Sequence, residues 1–266
     1  MKRTGAYWRI WVMAQKGRME YRFNFFLDIF ALFAGYVGLV ANIWLMTNRF
    51  GALAGWKFTE IAFLFGTFTM SYGLSAYNFW QFTLLGTLLR TGEYDRYLLR
   101  PLNPVAYYAV ERCQTPALGQ VFGGLAIMLY CASLLDLTWT PAKIAFAVLM
   151  LLAGSLIQAG VMLLSAASSF WTLESGAAWG ILYYPLREFC FYPLGAFARP
   201  ILWVATTVIP FAFVNYFPAQ YLLGKWDMLG FPHWLAFASL PVSLVFFAIC
   251  FWCFGRGLRS YHSTGT

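Results

Sequence analysis

Long apolar runs, separated by short polar breaks, set the pattern of the chain. The runs lie at about Phe23–Met46, Ile61–Leu88, Val105–Leu134, Ala142–Phe170 and Trp234–Phe254. Each reaches the roughly 20 residues that a helix needs to cross a bilayer. A further apolar region, Ala177–Gly224, is punctuated by Pro185, Pro193, Pro200, Pro210 and Pro218. Each proline removes a helix hydrogen bond and adds a clash. The region therefore predicts a fifth span at about Ala177–Phe197, followed by two short helices at Arg199–Leu223 that dip back into the membrane. In the alternative, Glu174–Tyr192 lies flat on the surface and the fifth span begins near Leu194. The predicted fold is all-α: six transmembrane helices, an N-terminal helix in the membrane interface, and a re-entrant helical hairpin before the last span. As domains, Met1–Arg22 precedes a single transmembrane domain, residues 23–266.

The interfacial helix rests on Met1–Arg22, where Lys2, Arg3, Arg9, Lys16, Arg18 and Arg22 interleave with Tyr7, Trp8 and Trp11. Basic residues with Trp and Tyr suit the headgroup region. The apolar run that follows is too long for a signal-peptide core, so no cleavable signal is expected. Asp28 lies near the basic end of the first span, and the pattern predicts that it faces other helices or pairs with Arg22. Gly66, Gly73 and Gly86, the Gly119–Gly123 pair and the small residues of Ser165–Ser169 predict close helix contacts.

Composition sharpens the class. The 266 residues are 61% hydrophobic and 11% charged, against about 25% charged in soluble domains. A soluble fold could not hide that much apolar surface. The net charge of +8 comes from basic residues beside apolar runs, so it reports topology and contact with anionic lipid rather than nucleic acid. With the N-terminus inside and six spans, the inner segments hold Lys2, Arg3, Arg9, Lys16, Arg18 and Arg22, then Arg90, Arg96, Arg100 and Arg112, then Arg256 and Arg259: twelve of the 18 basic residues. Arg49, Lys57, Lys143, Arg199 and Lys225 fall outside. This bias predicts both termini in the cytoplasm of a multi-pass membrane protein.

Candidate chemistry is sparse. Of the five cysteines, Cys250 and Cys253 form a C-x-x-C inside the last apolar run, but no second Cys or His pair completes a metal site. The two histidines, His233 and His262, match no catalytic motif, which argues against an enzyme. No phosphate-binding loop is present, since the only Gly-Lys pair, Gly224–Lys225, lacks the earlier glycine. ATP, if used, is bound by another polypeptide, and no cofactor is predicted for this chain. Asp28, Glu111, Arg187 and Glu188 are the ionisable groups an ion-coupled secondary transporter would use, but the two halves show no duplication. An assembly or scaffold subunit is the third reading.

The densest charge lies in Leu89–Pro104, LRTGEYDRYLLRPLNP, between the second and third spans. By the basic bias it is cytoplasmic. Within it, Gly92–Pro104, GEYDRYLLRPLNP, resembles the G-x-x-D-x-Y-L-L-R-P-L-x-P signature of one branch of ABC-2-type transporter permeases. Tyr192-Pro193 followed by IPFAFVNYFPAQYLLG from Ile209 resembles a second pattern of that branch. The resemblance runs from end to end. It implies a permease subunit that pairs with a second permease, identical or paralogous, and with cytoplasmic ATPase subunits. It implies export of lipid-like, drug-like or peptide amphiphiles. It also implies a coupling helix between spans two and three, with Glu93, Tyr94, Asp95, Arg96 and Arg100 as its surface. Tyr94 departs from the small aliphatic residue common there, and the Arg187–Glu188 pair has no clear counterpart. Pro101 and Pro104 would stop and stiffen that helix. Pro193, Pro210 and Pro218 would shape the broken region.

Overall fold

The computed structural model describes residues 3–20, 22–135, 137–172, 183–225 and 231–261. It is helical throughout, with no strand among the described residues beyond an isolated bridge between Leu53 and Trp56. The helices are α1 (Arg3–Met19), α2 (Arg22–Phe50), α3 (Phe58–Phe79), α4 (Leu85–Arg90), α5 (Asp95–Leu98), α6 (Pro104–Glu111), α7 (Ala117–Leu134), α8 (Pro141–Thr172), α9 (Tyr184–Phe189), α10 (Arg199–Thr207), α11 (Tyr216–Leu223) and α12 (Ser239–Ser260).

Among the described residues, four helical stretches are long and apolar enough to cross a membrane: Phe26–Arg49, Ala117–Leu134, Pro141–Thr172 and His233–Ser260. The helix α3 is less apolar, yet its 22 residues span roughly 33 Å, the thickness of the hydrocarbon core. It is the central helix, buried along most of its length between α7 and α8. Burial inside protein removes the need for a lipid-facing apolar surface. Thr67, Ser71 and Ser75 can therefore sit there, each donating its hydroxyl to a carbonyl one turn back. The helix α2 is its opposite: only 6% of its apolar window is covered, against 67% for α8. Asp28, expected against other helices, is exposed on this open helix.

Two expected spans are shorter than their apolar runs. The run at Ile61–Leu88 leaves α3 at Phe79 and passes through a 3-10 turn, Trp80–Leu84, into α4. The break is held by partners distant in sequence. Gln81 donates to the carbonyl of Ala109 at 3.2 Å, and Tyr108 donates to the carbonyl of Gln81 at 2.7 Å. The run at Val105–Leu134 breaks at Arg112–Pro116, so that α6 and α7 are separate helices. Pro116 has no N–H to donate, and the amide of Gln114 donates to Tyr77 of α3 at 2.7 Å instead of to its own helix.

The proposed fifth span lies partly outside the described residues. Its described half forms α9, six residues long, then a turn and a 3-10 segment, Leu194–Ala196. Pro193, buried, opens that segment. The helices α10 and α11 form a pair bent by 77°. At the bend, buried Pro210 begins a 3-10 turn whose Phe211 packs on Phe68 and Tyr183. Pro218 sits in the first turn of α11, where a missing N–H costs no helix bond. Asn215, buried, donates to the carbonyls of Leu64 and Cys190 at 3.1 and 2.9 Å and ties the turn to the central helix. Both ends of the pair return to the same end of the bundle. Phe197 shares a cavity with Met46 and Leu53 before α10, and after α11 Lys225 pairs with Glu60 at 2.5 Å and donates to the carbonyl of Gly55 at 2.6 Å.

Glycine sets the closest seam. A Cβ on Gly124 of α7 would lie 2.4 Å from the Met70 amide nitrogen and 2.7 Å from the Gly66 carbonyl oxygen of α3. At Gly119 a Cβ would lie 2.6 Å from the Ile29 carbonyl oxygen of α2. The seam is backbone against backbone, as small residues allow in membranes. The cysteines of the C-x-x-C are free, and Cys250 packs inward against Gly160 of α8.

Candidate functional site

At the end of the bundle opposite Lys225, a second apolar cluster joins α4, α5 and α6 to the last turns of α8 and α12. Its heart is aromatic. Tyr94 and Tyr97 are fully buried against each other and against Tyr108, with ring centroids 5.1 to 6.1 Å apart. Tyr94, expected on a docking surface, is therefore an anchor that points inward. Its ring also meets Phe170 of α8 and Tyr261 after α12. A small aliphatic residue would not reach both.

The charges of the segment are ordered by Glu111, at the end of α6. Its carboxylate accepts from the Tyr97 phenol at 2.5 Å, from Arg96 at 3.1 Å and from Tyr107 at 3.4 Å. Arg96 lies 4.8 Å from the Tyr97 ring centroid, and Arg100 lies 4.9 Å from that of Tyr107. Burial, reinforced by the bond to Glu111, pushes the Tyr97 phenol above its ordinary value, so it stays neutral and donates. The hydrogen bond to Tyr97 pushes Arg96 up as well. Glu93 pairs with Arg112 at 3.5 Å, and both are exposed enough to make that bridge a weak one. Asp95 is partly buried and accepts from Tyr261 at 3.0 Å, which fastens the segment to the end of α12.

The exit is stiff. Asn103 caps α6, accepting from the amides of Val105 and Ala106, with Pro104 at the first helical position. Pro101 is exposed just before it. The helix α1 lies against α6 and reads the same region from outside. The amide of Asn103 donates to the Tyr7 hydroxyl at 3.1 Å, Trp11 donates to Tyr77 at 2.9 Å, and Arg18 donates to Thr115 at 3.0 Å. Gln15 reaches Cys113 at 2.9 Å and accepts from Thr115 at 3.1 Å.

Once the tyrosines are buried and the carboxylates engaged, the free surface is small and defined. Leu99 is 85% exposed and Leu98 44%, flanked by the exposed side chains of Arg96 and Arg100. Sequence reading named the charges and passed over these leucines, and it singled out Glu111 only as an ionisable group for ion coupling, not as the acceptor that orders the segment. The signal for the leucines was their place, two aliphatic residues between arginines in a segment already assigned to water.

A bundle of membrane-length helices around a buried central helix, with a clamped polar segment at one end, is the body of a multi-pass membrane protein. Residues 33–265 match the model of the ABC-2 family transporter proteins, and the chain belongs to that family. Searches against curated proteins and against solved structures return no match. As a member of this family the chain is a transport membrane subunit and not itself an enzyme, and such permeases generally pair with ATPase subunits.

Proposed function

We propose that the chain is the permease subunit of an ABC exporter that moves a lipid-like, drug-like or peptide amphiphile across the bacterial cytoplasmic membrane. A separate ATPase binds and hydrolyses the ATP, and a second permease, identical or paralogous, completes the path. Both termini and the segment 89–104 lie in the cytoplasm, and α1 lies in the inner interface among lipid headgroups. The pair α10–α11 re-enters from the outer side, and the full chain crosses six times. The open face of α2 is the surface offered to the second permease or to lipid.

The observation that carries this reading is the exposed Leu98–Leu99 tip on a rigid support. Two apolar side chains framed by Arg96 and Arg100 suit a groove with apolar walls and an acidic rim. Glu93 and Asp95 add polar contacts at the edge. The support transmits force because Tyr94, Tyr97, Glu111 and Tyr261 join it to α6, α8 and α12. A rigid element fixed to several helices can convert a partner's displacement into a rigid-body movement of those helices.

The double substitution Leu98→Asp, Leu99→Asp falls on this tip, outside the buried tyrosine cluster. It should leave membrane insertion and melting temperature as in the wild type. It should reduce co-purification of the cognate ATPase at least tenfold. Undiminished ATPase recovery from the double variant would show that the docking surface lies elsewhere.

A further inference from the structure

One buried cation has no part in the coupling segment. Arg187 of α9 lies among four rings, its guanidinium carbon 5.5 Å from the centroid of Tyr72, 5.9 Å from Tyr183, 5.1 Å from Tyr184 and 5.5 Å from Phe191. Its side chain is 15% exposed. Tyr72 stands 14 residues into α3, roughly 21 Å along the helix, so the guanidinium sits at hydrocarbon depth. Tyr183, one of the four rings, donates to Gln158 at 3.3 Å, and Gln158 in turn donates to Ser71 at 2.8 Å.

Arginine carries five donors and cannot shed its charge. The Tyr72 hydroxyl takes one of those donors, and the ring faces meet the charge without taking the others in a strong bond. Among the described residues the one carboxylate at hand is Glu188, the next residue along, at 3.7 Å with its own side chain 62% exposed. The Arg187 Nε is buried and has no hydrogen-bond partner among the described residues. A fixed cation at this depth with its donors underused marks a place where an anion is received.

Glu188, the carboxylate that faces Arg187, also lines a cavity of about 310 Å³, together with the apolar side chains of Met46, Leu53, Phe189, Tyr192 and Phe197. Ligand-sized cavities begin at roughly this volume. Charge and apolar lining together select one class of guest, a molecule with a negative head and a hydrocarbon tail. We infer that Arg187 and this cavity form a binding site for an anionic amphiphile, the headgroup phosphate, sulfate or carboxylate taking the place of Glu188 at the guanidinium. The inference rests on the exporter reading only for the role of that amphiphile as cargo. Glu188 is then the resident counter-ion that the guest displaces.

The test uses the full chain in phosphatidylcholine nanodiscs, without ATPase. Binding of dodecyl phosphate, dodecylphosphocholine and inorganic phosphate is measured by titration below the micellar concentration. The wild type should bind dodecyl phosphate at least tenfold more tightly than dodecylphosphocholine, and inorganic phosphate should not compete. Arg187→Met should abolish that preference, Arg187→Lys should keep part of it, and Glu188→Gln should tighten dodecyl phosphate two- to fivefold. Equal affinity of the wild type for the two headgroups overturns the inference. So does competition by inorganic phosphate, or a preference that survives in Arg187→Met. If Arg187→Met does not fold, Glu188→Gln decides: unchanged affinity for dodecyl phosphate would mean that Arg187 only staples α9 to α3. Because no ATPase is present, failure here leaves the docking surface standing, and failure of the docking surface leaves this site standing.

Discussion

Gly124→Val should yield almost no folded protein. The substituted Cβ would fall 2.4 Å from the Met70 amide nitrogen and 2.7 Å from the Gly66 carbonyl oxygen. Both are backbone atoms in the middle of α3, so no rotamer change relieves the overlap. The helices α3 and α7 would have to separate along the most extensive helix contact among the described residues. That contact holds the central helix, against which α8 and the Asn215 turn also pack. Overpacking in a close-packed interior costs roughly 1–3 kcal/mol even where side chains can yield. Here the backbone must yield, and the loss should exceed about 3 kcal/mol. The measurement is the yield of monodisperse protein in mild detergent and its melting temperature. Gly255→Ala is the control, because a Cβ there meets nothing within 4 Å. It should behave as the wild type. A Gly124→Val protein with normal yield and melting temperature would mean that the α3–α7 seam is not the contact that holds the bundle.

The second large effect is expected at Glu111. Its carboxylate receives three donors, but they do not count equally. Arg96 is half exposed, so its bridge contributes under about 1 kcal/mol. Tyr97 is buried, and a buried phenol left without its acceptor costs about 1–3 kcal/mol. Glu111→Ala therefore acts mainly through Tyr97. It should release α5 from α6 while leaving the membrane helices intact. In the assembled complex, the permease-dependent change in ATP hydrolysis should fall at least fivefold, with the ATPase still bound. Glu111→Gln keeps an acceptor oxygen for Tyr97 and should retain most of that coupling. If the alanine and glutamine variants couple equally well, Tyr97 is held by other contacts and the clamp is not the transmitting element.

The sequence carried the class of fold plainly, because a bilayer imposes length and apolarity on every exposed helix. It carried less of the architecture where protein replaces lipid. The helix α3 is the clearest instance, since its serines and threonines lower its hydropathy while its burial makes it central. The breaks at Trp80–Leu84 and Arg112–Pro116 were hidden for a related reason. Both are capped by residues far along the chain, Tyr108 for one and Tyr77 for the other. Pro116 was visible, but prolines also occur inside apolar runs that do span. In the segment 89–104, charge density drew attention to Asp95, Arg96 and Arg100. The same habit of reading charge as surface placed Tyr94 outside, although a tyrosine spaced three residues from Tyr97 and near Tyr107–Tyr108 has many rings to meet. Arg187 stood out as a misfit in an apolar region, and only the rings around it explain how the charge is held there.

The account turns on contact between position 99 and an ATPase, and a photo-crosslinking residue placed there reads that contact directly. Leu99 is the most exposed large apolar residue in the chain's described part. Replacing it with a photoreactive amino acid, in cells that express the whole transporter, should give a single crosslinked product containing the permease and the ATPase subunit. The same probe at Leu129, exposed within the membrane-length helix α7, should crosslink no ATPase. An intact complex that gives no ATPase crosslink from position 99 would contradict the assignment of this segment as the docking surface.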